Sequence, residues 1–467
     1  MRILKDIKFI LYISISVLLL GITVFFAREF ISNLFFRMNL PDFNPASKSD
    51  RVLVIAPHCD DEVLGSAEFI KKTIKEGGNV KVAFITNGDG FKSALQVDYF
   101  EASPKPIEYI NFGYERQKES LKALKRLGVD ENDVIFLGYP DGGIVQLFNK
   151  NWDKDNPYTS IGSKTDKNPY TNSFSKGEVY CGYNLENDLQ RIIESYKPTY
   201  IIYPHPNDRH PDHLASNAFV KYAVTKLNYN PSRELLYLVH RGDWPTPLKR
   251  DTNMYLVPPA KLANTGTSWY ALDMDSTDIE EKTEVIHYFN TQIKLLGPLM
   301  TAFERRNELF GVYGNAALKN TGGKDDNIVP SPSNLIIANP KEDTLGVEVI
   351  KGANIISINA ERSASKSIHI FAVLDDEYDK YVEYNLGLIF FNVTDTKRLN
   401  ISLKNNKIFD TNTGAEFLVE NKSKGNILHL IIPENLTGEF QHMFINMNTF
   451  AGGKVLNRTA WRMVESK

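Results

Sequence analysis

Apolar runs of strand length alternate with helix-like segments from residue 52 to residue 203, and this alternation constrains the fold more than any other feature. Val52–Ile55 and Val80–Thr86 are the first two runs. Between them, apolar residues recur at helical spacing until Gly77 and Gly78 end the pattern. Such βαβ alternation predicts an α/β fold, with a Rossmann-like, mostly parallel sheet and helices on both faces.

The alternation continues beyond the second strand. The pattern predicts a helix over 114–127, a strand over 134–137, a helix over 185–196 and a strand over 200–203. Two long segments, 87–113 and 141–182, interrupt it on the side where the strands end. Long loops at such positions often carry binding residues.

Ionisable side chains crowd behind the first strand. His58, Asp60, Asp61 and Glu62 follow the apolar run within a few residues. Close to a buried strand these groups would repel one another and lose hydration, unless a cation or a proton relay compensates them. A metal site is the simplest explanation.

A second polar cluster, Pro204–His213, follows the strand at 200–203. In an open α/β sheet the carboxyl ends of strands meet over one crevice, so the two clusters can converge. His58, Asp61 and His213 could then form a two-histidine, one-carboxylate set. Three protein ligands leave coordination positions for water and substrate, and such a set accommodates Zn²⁺ or Fe²⁺.

Both clusters resemble motifs of the PIG-L/LmbE-like de-N-acetylases. The PHxDDE motif of that family corresponds to Pro57–Glu62, and its HxDH motif corresponds to His210–His213. The resemblance covers roughly residues 51–310. It implies a zinc-dependent hydrolase that removes acetyl groups from N-acetylglucosamine-type conjugates.

The resemblance also implies roles for the matching residues. His58, Asp61 and His213 would bind the metal. Asp60 would act as the general base toward water. His210, oriented by Asp212, would stabilise the oxyanion or protonate the leaving amine.

Further candidates follow from the same resemblance. It nominates Arg116 and Asp141 as substrate contacts, although a surface ion pair and a turn residue explain them equally well. Glu62 is expected to cap the following helix. The part played by His205 stays open, and Cys59, where the family commonly has proline, is expected to pack away from the metal. Three loop aromatics, Trp152, Tyr158 and Tyr170, could stack on sugars or fold the loop onto the core.

The amino terminus predicts a membrane anchor. Arg2, Lys5 and Lys8 precede an apolar run over residues 9–27, close to the about 20 residues that span a bilayer. No small-x-small cleavage site precedes Arg28, which favours an anchor over a cleaved signal. The positive-inside rule then predicts a single-span membrane protein with an extracytoplasmic catalytic domain.

These patterns divide the chain into four parts. We expect an anchor and connector at 1–48, a deacetylase domain at 49–314, a linker at 315–343, and an all-β, sandwich-like accessory domain at 344–467. A chain from Asn44 to about Ala316 is expected to keep the chemistry. A net charge of −3 gives the protein no overall positive potential that would attract nucleic acid. Two cysteines are too few for a disulfide framework.

The leading hypothesis is a membrane-anchored, metal-dependent de-N-acetylase whose partner is an amino-sugar glycan or glycoconjugate. An amidase acting on a non-sugar acyl-amine is the alternative within enzymes. A metal-retaining glycan-binding protein without turnover is the alternative from another class. The sequence leaves the exact glycan and the oligomeric state open.

Overall fold

The computed structural model describes residues 12, 14–17, 28, 30–43, 47–320, 328–340, 350–411, 413–416 and 419–466. A seven-stranded sheet forms the first part of the fold, in the order β3-β2-β1-β4-β5-β7-β6. Its strands are β1 (Arg51–Ala56), β2 (Asn79–Thr86), β3 (Val134–Tyr139), β4 (Tyr200–Pro204), β5 (Arg233–Tyr237), β6 (Ser268–Asp273) and β7 (Asn307–Val312). The longer helices around it are α1 (Asp61–Lys75), α2 (Lys92–Tyr99), α3 (Pro106–Arg126), α4 (Ile144–Asn149), α5 (Gly182–Tyr196), α6 (Pro211–Lys226), α7 (Ser276–Ile286) and α8 (Asn290–Thr301).

The core of this sheet is parallel. β1 pairs in parallel with β2 on one side and with β4 on the other. The side chains of β1 alternate between two apolar clusters: Val52 and Val54 lie in one, and Leu53 and Ile55 lie in the other. Because both faces of the strand are covered, it is apolar at every position. The predicted α/β fold class is confirmed.

The carboxy-terminal end of this region differs from the sequence interpretation. The pattern over 280–310 indicates one closing helical region, but α7 and α8 are separate helices and β7 follows them. β7 pairs antiparallel with β5 and β6, so it adds an antiparallel edge to the sheet. Helical periodicity missed this strand because Asn307–Phe310 is buried at every position.

A second sheet of twelve strands forms the all-β part, as predicted. Its main path runs β14-β13-β12-β17-β19-β8-β10-β11-β16-β15, with β18 on β17 and β9 on β10. The strands are β8 (Ala316–Asn320), β9 (Leu335–Ala338), β10 (Ile355–Arg362), β11 (Ile368–Leu374), β12 (Glu383–Phe391), β13 (Thr396–Lys404), β14 (Lys407–Asp410), β15 (Glu420–Asn421), β16 (Ile427–Ile432), β17 (His442–Ala451), β18 (Lys454–Arg458) and β19 (Arg462–Ser466). A short helix, α9 (Glu434–Thr437), follows β16.

The interval 315–343 contains strands as well as connecting chain. β8 pairs in parallel with β19 and with β10, and β9 pairs with β10. The sequence pattern also predicts a strand at 346–350, of which only Ile350 belongs to the described residues. The domain boundaries themselves stay a prediction.

The two parts of the fold share an apolar cluster. Phe148 of α4 and Phe219 of α6 lie in one cluster with Ile389 of β12 and Phe444 of β17. Rings of Phe148 and Phe219 meet edge to face, with centroids 4.8 Å apart, and Phe148 contacts Phe444 at 6.1 Å. The second sheet therefore covers the outer side of α4 and α6.

The predicted membrane anchor, and with it the single-span extracytoplasmic placement, is contradicted. Among the described residues, no helix has the length and apolar character needed to cross a bilayer. Most of the expected span, 9–27, lies outside those residues. The prediction rested on composition, which does not establish that a run forms one continuous helix. The chain that follows packs on the first sheet, where Arg37 pairs with Asp42 and Asp273.

Candidate active site

The two polar motifs meet at the carboxyl ends of adjacent strands. His58 and Asp61 follow β1, and His210 to His213 follow β4 and begin α6. Since β1 and β4 are hydrogen-bonded neighbours, their following turns emerge side by side. The sheet order thus brings together side chains that lie more than 150 residues apart in sequence.

Asp61 lies at the centre of the cluster. Its Oδ2 atom is 3.1 Å from Nδ1 of His58 and 3.0 Å from Nε2 of His213. The same two ring nitrogens are 3.4 Å apart. All three side chains are buried, so the predicted set converges on one point.

A fourth histidine joins this cluster, and sequence reasoning missed it. Nε2 of His240 lies 3.6 Å from Oδ1 of Asp61. His240, His58, Asp61 and His213 can each offer one ligand atom, all within 4.8 Å of one another. The missed signal was the apolar run Leu235–Val239, after which His240 stands beyond β5, the neighbour of β4.

Asp208 contacts the cluster through His213. Its Oδ2 atom is 3.2 Å from Nδ1 of His213 and accepts hydrogen bonds from the backbone N–H groups of Val239 and His240. Its Oδ1 atom accepts from the N–H of His210. Asp208 therefore fixes the His213 ring and ties the loop after β5 to the loop after β4.

The electrostatics of the cluster favour positive charge. Burial disfavours the charged ring of His58, yet its carboxylate neighbours, led by Asp141, raise its pKa well above the ordinary value. Burial acts likewise on His213, but Asp61 and Asp208 raise its pKa to about 9. Burial also opposes ionisation of Asp61. The charge of His213 nevertheless holds the pKa of the Asp61 carboxyl well below its ordinary value.

Asp60 lies beside the cluster and pairs with Arg116. Its Oδ2 atom is 3.0 Å from a guanidinium nitrogen of Arg116, and both side chains are buried. Arg116 also donates to the carbonyls of Gly88 and Cys59, each at 2.7 Å. The φ angle of Asp60 is 154°, a sparsely populated conformation for a residue other than glycine. Arg116 thus braces the strained turn that carries Asp60.

Asp141 and Asp212 approach His58 from the opposite side. Nε2 of His58 is 3.2 Å from Oδ1 of Asp141 and 3.5 Å from Oδ2 of Asp212. The Asp212 carboxylate accepts from the N–H groups of Gly142 and Ile144, at 2.6 and 3.1 Å. Its backbone N–H, rather than its carboxylate, contacts the ring of His210, whose Nδ1 accepts at 3.2 Å.

The remaining motif residues have structural contacts. Glu62 is buried and accepts from the N–H of Asp60 at 2.9 Å, and burial raises its pKa to about 8. Nε2 of His205 lies 3.0 Å from the Thr267 hydroxyl, and its Nδ1 accepts from the N–H of Asn207. Cys59 packs in an apolar cluster.

The loop aromatics pack against the protein. Tyr170 is buried, and its hydroxyl donates to Asp89 at 2.8 Å. Trp152 stacks on Phe219 with ring centroids 6.0 Å apart. Tyr158 packs against the apolar cluster that the two parts of the fold share.

A cavity of about 380 Å³ opens above the cluster. One wall is polar and the opposite wall, from α8 and the start of α2, is apolar. The lining consists of His58, Asp60, Gly90, Phe91, Arg116, Asp141, Gly142, His210, His240, Gln292, Leu296 and Leu299. A bound molecule would therefore contact the predicted base, His210 and both predicted substrate-contacting residues at once.

Residues 53–224 match the family model PIG-L, described as GlcNAc-PI de-N-acetylase. The chain therefore carries a PIG-L domain, which confirms the resemblance drawn from the two motifs. No curated protein sequence gave a significant match.

Three solved structures are similar to part of the chain. A conserved protein of Thermus thermophilus is 18% identical with a TM-score of 0.33, over 54% of this chain and 84% of that one. N,N'-diacetylchitobiose deacetylase from Pyrococcus horikoshii is 20% identical with a TM-score of 0.34, and the match covers 56% of this chain and 83% of that one. A deacetylase of the teicoplanin biosynthesis pathway is 17% identical with a TM-score of 0.36, and the match covers 56% of this chain and 96% of that one.

The donor set fits a divalent metal. The Oδ1 atom of Asp61 is buried and accepts no hydrogen bond from the described residues. Imidazole nitrogens and a carboxylate oxygen are ligands that Zn²⁺ prefers. A cation there would supply the positive charge that the carboxylates otherwise draw from protonated His58 and His213. The family match and this His/Asp cluster support an enzyme that hydrolyses an amide.

Proposed function

We propose that the protein is a metal-dependent de-N-acetylase acting on an N-acetylglucosamine-type glycan or glycoconjugate. One observation carries the proposal: His58, Asp61 and His213 converge within hydrogen-bonding distance of one another. They do so beneath a cavity that Asp60 and His210 also line. The PIG-L match supports the substrate class.

In this proposal His58, Asp61 and His213 hold the metal, with His240 available as a fourth ligand. The bound ion, Zn²⁺ or alternatively Fe²⁺, would polarise the amide carbonyl and lower the pKa of water. Asp60 takes the proton from the attacking water.

The other cavity residues act on the substrate. His210 stabilises the developing oxyanion or protonates the departing amine. Burial and the neighbouring histidines hold the pKa of His210 well below its ordinary value, which favours the first role. Asp212 holds the turn at Gly142 against α6, which keeps that wall of the cavity in place. Asp141 accepts from sugar hydroxyls. Burial raises the pKa of Asp60, which suits a proton acceptor, while the charge of Arg116 opposes that rise and orients the carboxylate through their ion pair.

The test separates metal binding from proton transfer. Asp60→Asn should retain most of the metal and lose at least about a hundredfold in turnover, the usual range for a general base. His213→Ala should lose both metal and turnover. Metal content by mass spectrometry and acetate release from a small N-acetylglucosaminide measure the two effects. Exposed residues supply matched controls, Asp155→Asn and His287→Ala.

Two results would contradict the assignment: equal metal loss in both active-site variants, or near-normal turnover in Asp60→Asn. Reloading the metal-free protein with Zn²⁺ or Fe²⁺ separately identifies the ion that supports turnover.

An amidase acting on a non-sugar acyl-amine is the second candidate. The apolar wall of Phe91, Leu296 and Leu299 favours it, since such a wall suits an apolar amine or acyl group better than the hydroxyls of a sugar. Parallel assays with N-acetyl, N-butyryl and N-octanoyl glucosamine and with an N-acylated alkylamine decide between the two. Preference for the alkylamine would support the amidase, and preference for N-acetylglucosamine supports the de-N-acetylase.

A further inference from the structure

A polar groove on the second sheet shares no lining residue with the cavity above the proposed metal-ligand cluster of His58, Asp61, His213 and His240. It has a volume of about 420 Å³ and is formed by β12, β13, β14 and β17, together with the end of α4. One face of β12 makes the floor. Along that face Ile389 and Phe391 pack against the α/β part, whereas Glu383, Asn385 and Gly387 continue into the groove. A single sheet face is thus apolar where it is covered and polar where it is open.

The groove presents two rows of neutral hydrogen-bonding groups. Asn385 stands between Ser402 of β13 and Asn448 of β17 in the strand register. Amide and hydroxyl side chains offer both donors and acceptors without net charge. Ser402 is nearly fully buried, with 6% of its surface exposed, so the row lies at the bottom of a concavity.

The second row crosses Gly387. In the strand register Gly387 stands between Asn400 of β13 and Asn446 of β17. A Cβ atom on Gly387 would lie 2.4 Å from Oδ1 of Asn446 and 2.6 Å from the ring of Trp461. Glycine at this position is therefore what lets the amide and the indole lie over the strand.

Some hydrogen-bonding capacity in the groove is unmet. Oδ1 of Asn385 and Oδ1 of Asn149, at the end of α4, accept no hydrogen bond from the described residues. Buried amide oxygens normally have partners, so these two favour a ligand or bound water. Lys150, Glu383, Lys404 and Asp410 are the charged residues of the lining, and Lys404 and Glu383 pair with each other at 3.1 Å.

From these observations we propose that the groove is a binding site for a neutral oligosaccharide. Sugar hydroxyls both donate and accept, which matches rows of amides and a serine hydroxyl. The indole of Trp461 and the ring of Phe450, which also line the groove, supply apolar surface for a pyranose face. An anion would find no unpaired basic cluster among the described lining residues, and a wholly apolar ligand would leave the amides without partners. This site goes beyond the proposed function, since it holds a glycan away from the metal-ligand cluster.

The experiment uses the full chain. Asp60→Asn serves as the parent, so that the probe is not hydrolysed, and isothermal titration measures binding of the β-1,4-linked tetrasaccharides of N-acetylglucosamine and of glucose. The groove variant is Asn400→Ala with Asn448→Ala, two partly exposed amides outside the apolar cluster that joins the two parts. The control is Asn435→Ala, an exposed asparagine of α9 in the same sheet region.

The groove variant should bind at least one tetrasaccharide at least tenfold more weakly than the control, or lose one of two binding events. In the parallel series with Asp60 intact, turnover of a small N-acetylglucosaminide should stay within twofold. Thermal unfolding checks the fold, and Asn448→Ala alone replaces the pair if the pair lowers the unfolding temperature. Unchanged binding in the folded variant, or no groove-dependent binding of either tetrasaccharide at millimolar concentration, would overturn the proposal. Groove-dependent binding without any turnover of the small N-acetylglucosaminide by the metal-loaded protein with Asp60 intact would count against the proposed function instead.

Discussion

A buried ion pair holds α1 in place, and its removal gives the sharpest test of how the site is supported. α1 is interrupted at Ser66, whose φ and ψ angles of −153° and 21° are not helical. The N–H groups of Glu68 and Phe69 donate instead to the carboxylate of Glu308, at 2.9 and 3.0 Å. Lys282 lies 2.7 Å from that carboxylate, and both side chains are 1% exposed. Glu308 therefore caps the second half of the helix that begins at Asp61.

Lys282→Met should cost about 3–5 kcal/mol of unfolding free energy, because it leaves the Glu308 charge buried without a partner. Glu308→Gln should cost a similar amount, since it leaves the ammonium of Lys282 buried. The double variant carries neither charge, and its amide oxygen still accepts from one N–H group. It should cost only about 1–3 kcal/mol, the range for a lost buried hydrogen bond.

Urea unfolding followed by tryptophan fluorescence measures these costs, and a double-mutant cycle isolates the coupling. The exposed pair of Lys366 with Glu434, 3.0 Å apart, supplies the control. Lys366→Met should cost less than about 1 kcal/mol. Single variants of the buried pair that cost no more than this control, or a double variant that costs the sum of the singles, would refute the reasoning.

Three further predictions concern protonation, the contact between the two parts, and thiol reactivity. Burial raises the pKa of Glu68 to about 7, so the folded state holds its proton more tightly than the unfolded chain. Stability should therefore fall as pH rises from about 4.3 to about 7, and Glu68→Gln should flatten this slope in thermal unfolding. The guanidinium of Arg398 lies 3.3 Å from the ring centre of Trp152, and Arg398→Ala should lower stability by about 1–2 kcal/mol in urea unfolding. Burial raises the pKa of the Cys59 thiol well above its ordinary value, so the native protein should leave Cys59 unlabelled by iodoacetamide until it is denatured.

The first sheet and the convergence of the His/Asp cluster were predictable because each depends on local pattern. An apolar run buried on both faces is recognisable in sequence, and a histidine or aspartate directly after it falls at the sheet edge. That rule predicted that His58 and Asp61 would meet the 204–213 cluster, which contains His213. Applied to the run before His240, it would have placed the fourth histidine as well. The signal for His240 was therefore present in the sequence, although no recognised motif contains it.

Other features depend on contacts that no local pattern encodes. The carboxylate of Asp212 accepts hydrogen bonds from the turn at Gly142, 70 residues away in sequence, instead of orienting His210. Arg116 pairs with Asp60 and donates hydrogen bonds to two backbone carbonyls. Only folding of the loops brings these partners within reach of the guanidinium. Glu308 lies in a charged stretch of sequence, yet it is buried and accepts hydrogen bonds from the backbone of α1. Sequence gives the residue types at these places, but tertiary packing decides their partners.

The composition of α6 does carry a signal about the second sheet. Leu214 is partly exposed, but Ala218, Phe219, Val220 and Val224 are all buried, and at 3.6 residues per turn these positions lie on more than one side of the helix. A helix that is apolar on several sides needs cover beyond one sheet. Tyr222 meets Phe391 of β12, with ring centroids 4.8 Å apart. The helix that presents His213 is therefore held between the two sheets, and a chain ending near Ala316 would expose its outer side. That such a chain keeps the chemistry stays a prediction, and the shared cluster adds a condition to it: α6 must hold His213 in place although its outer side is uncovered.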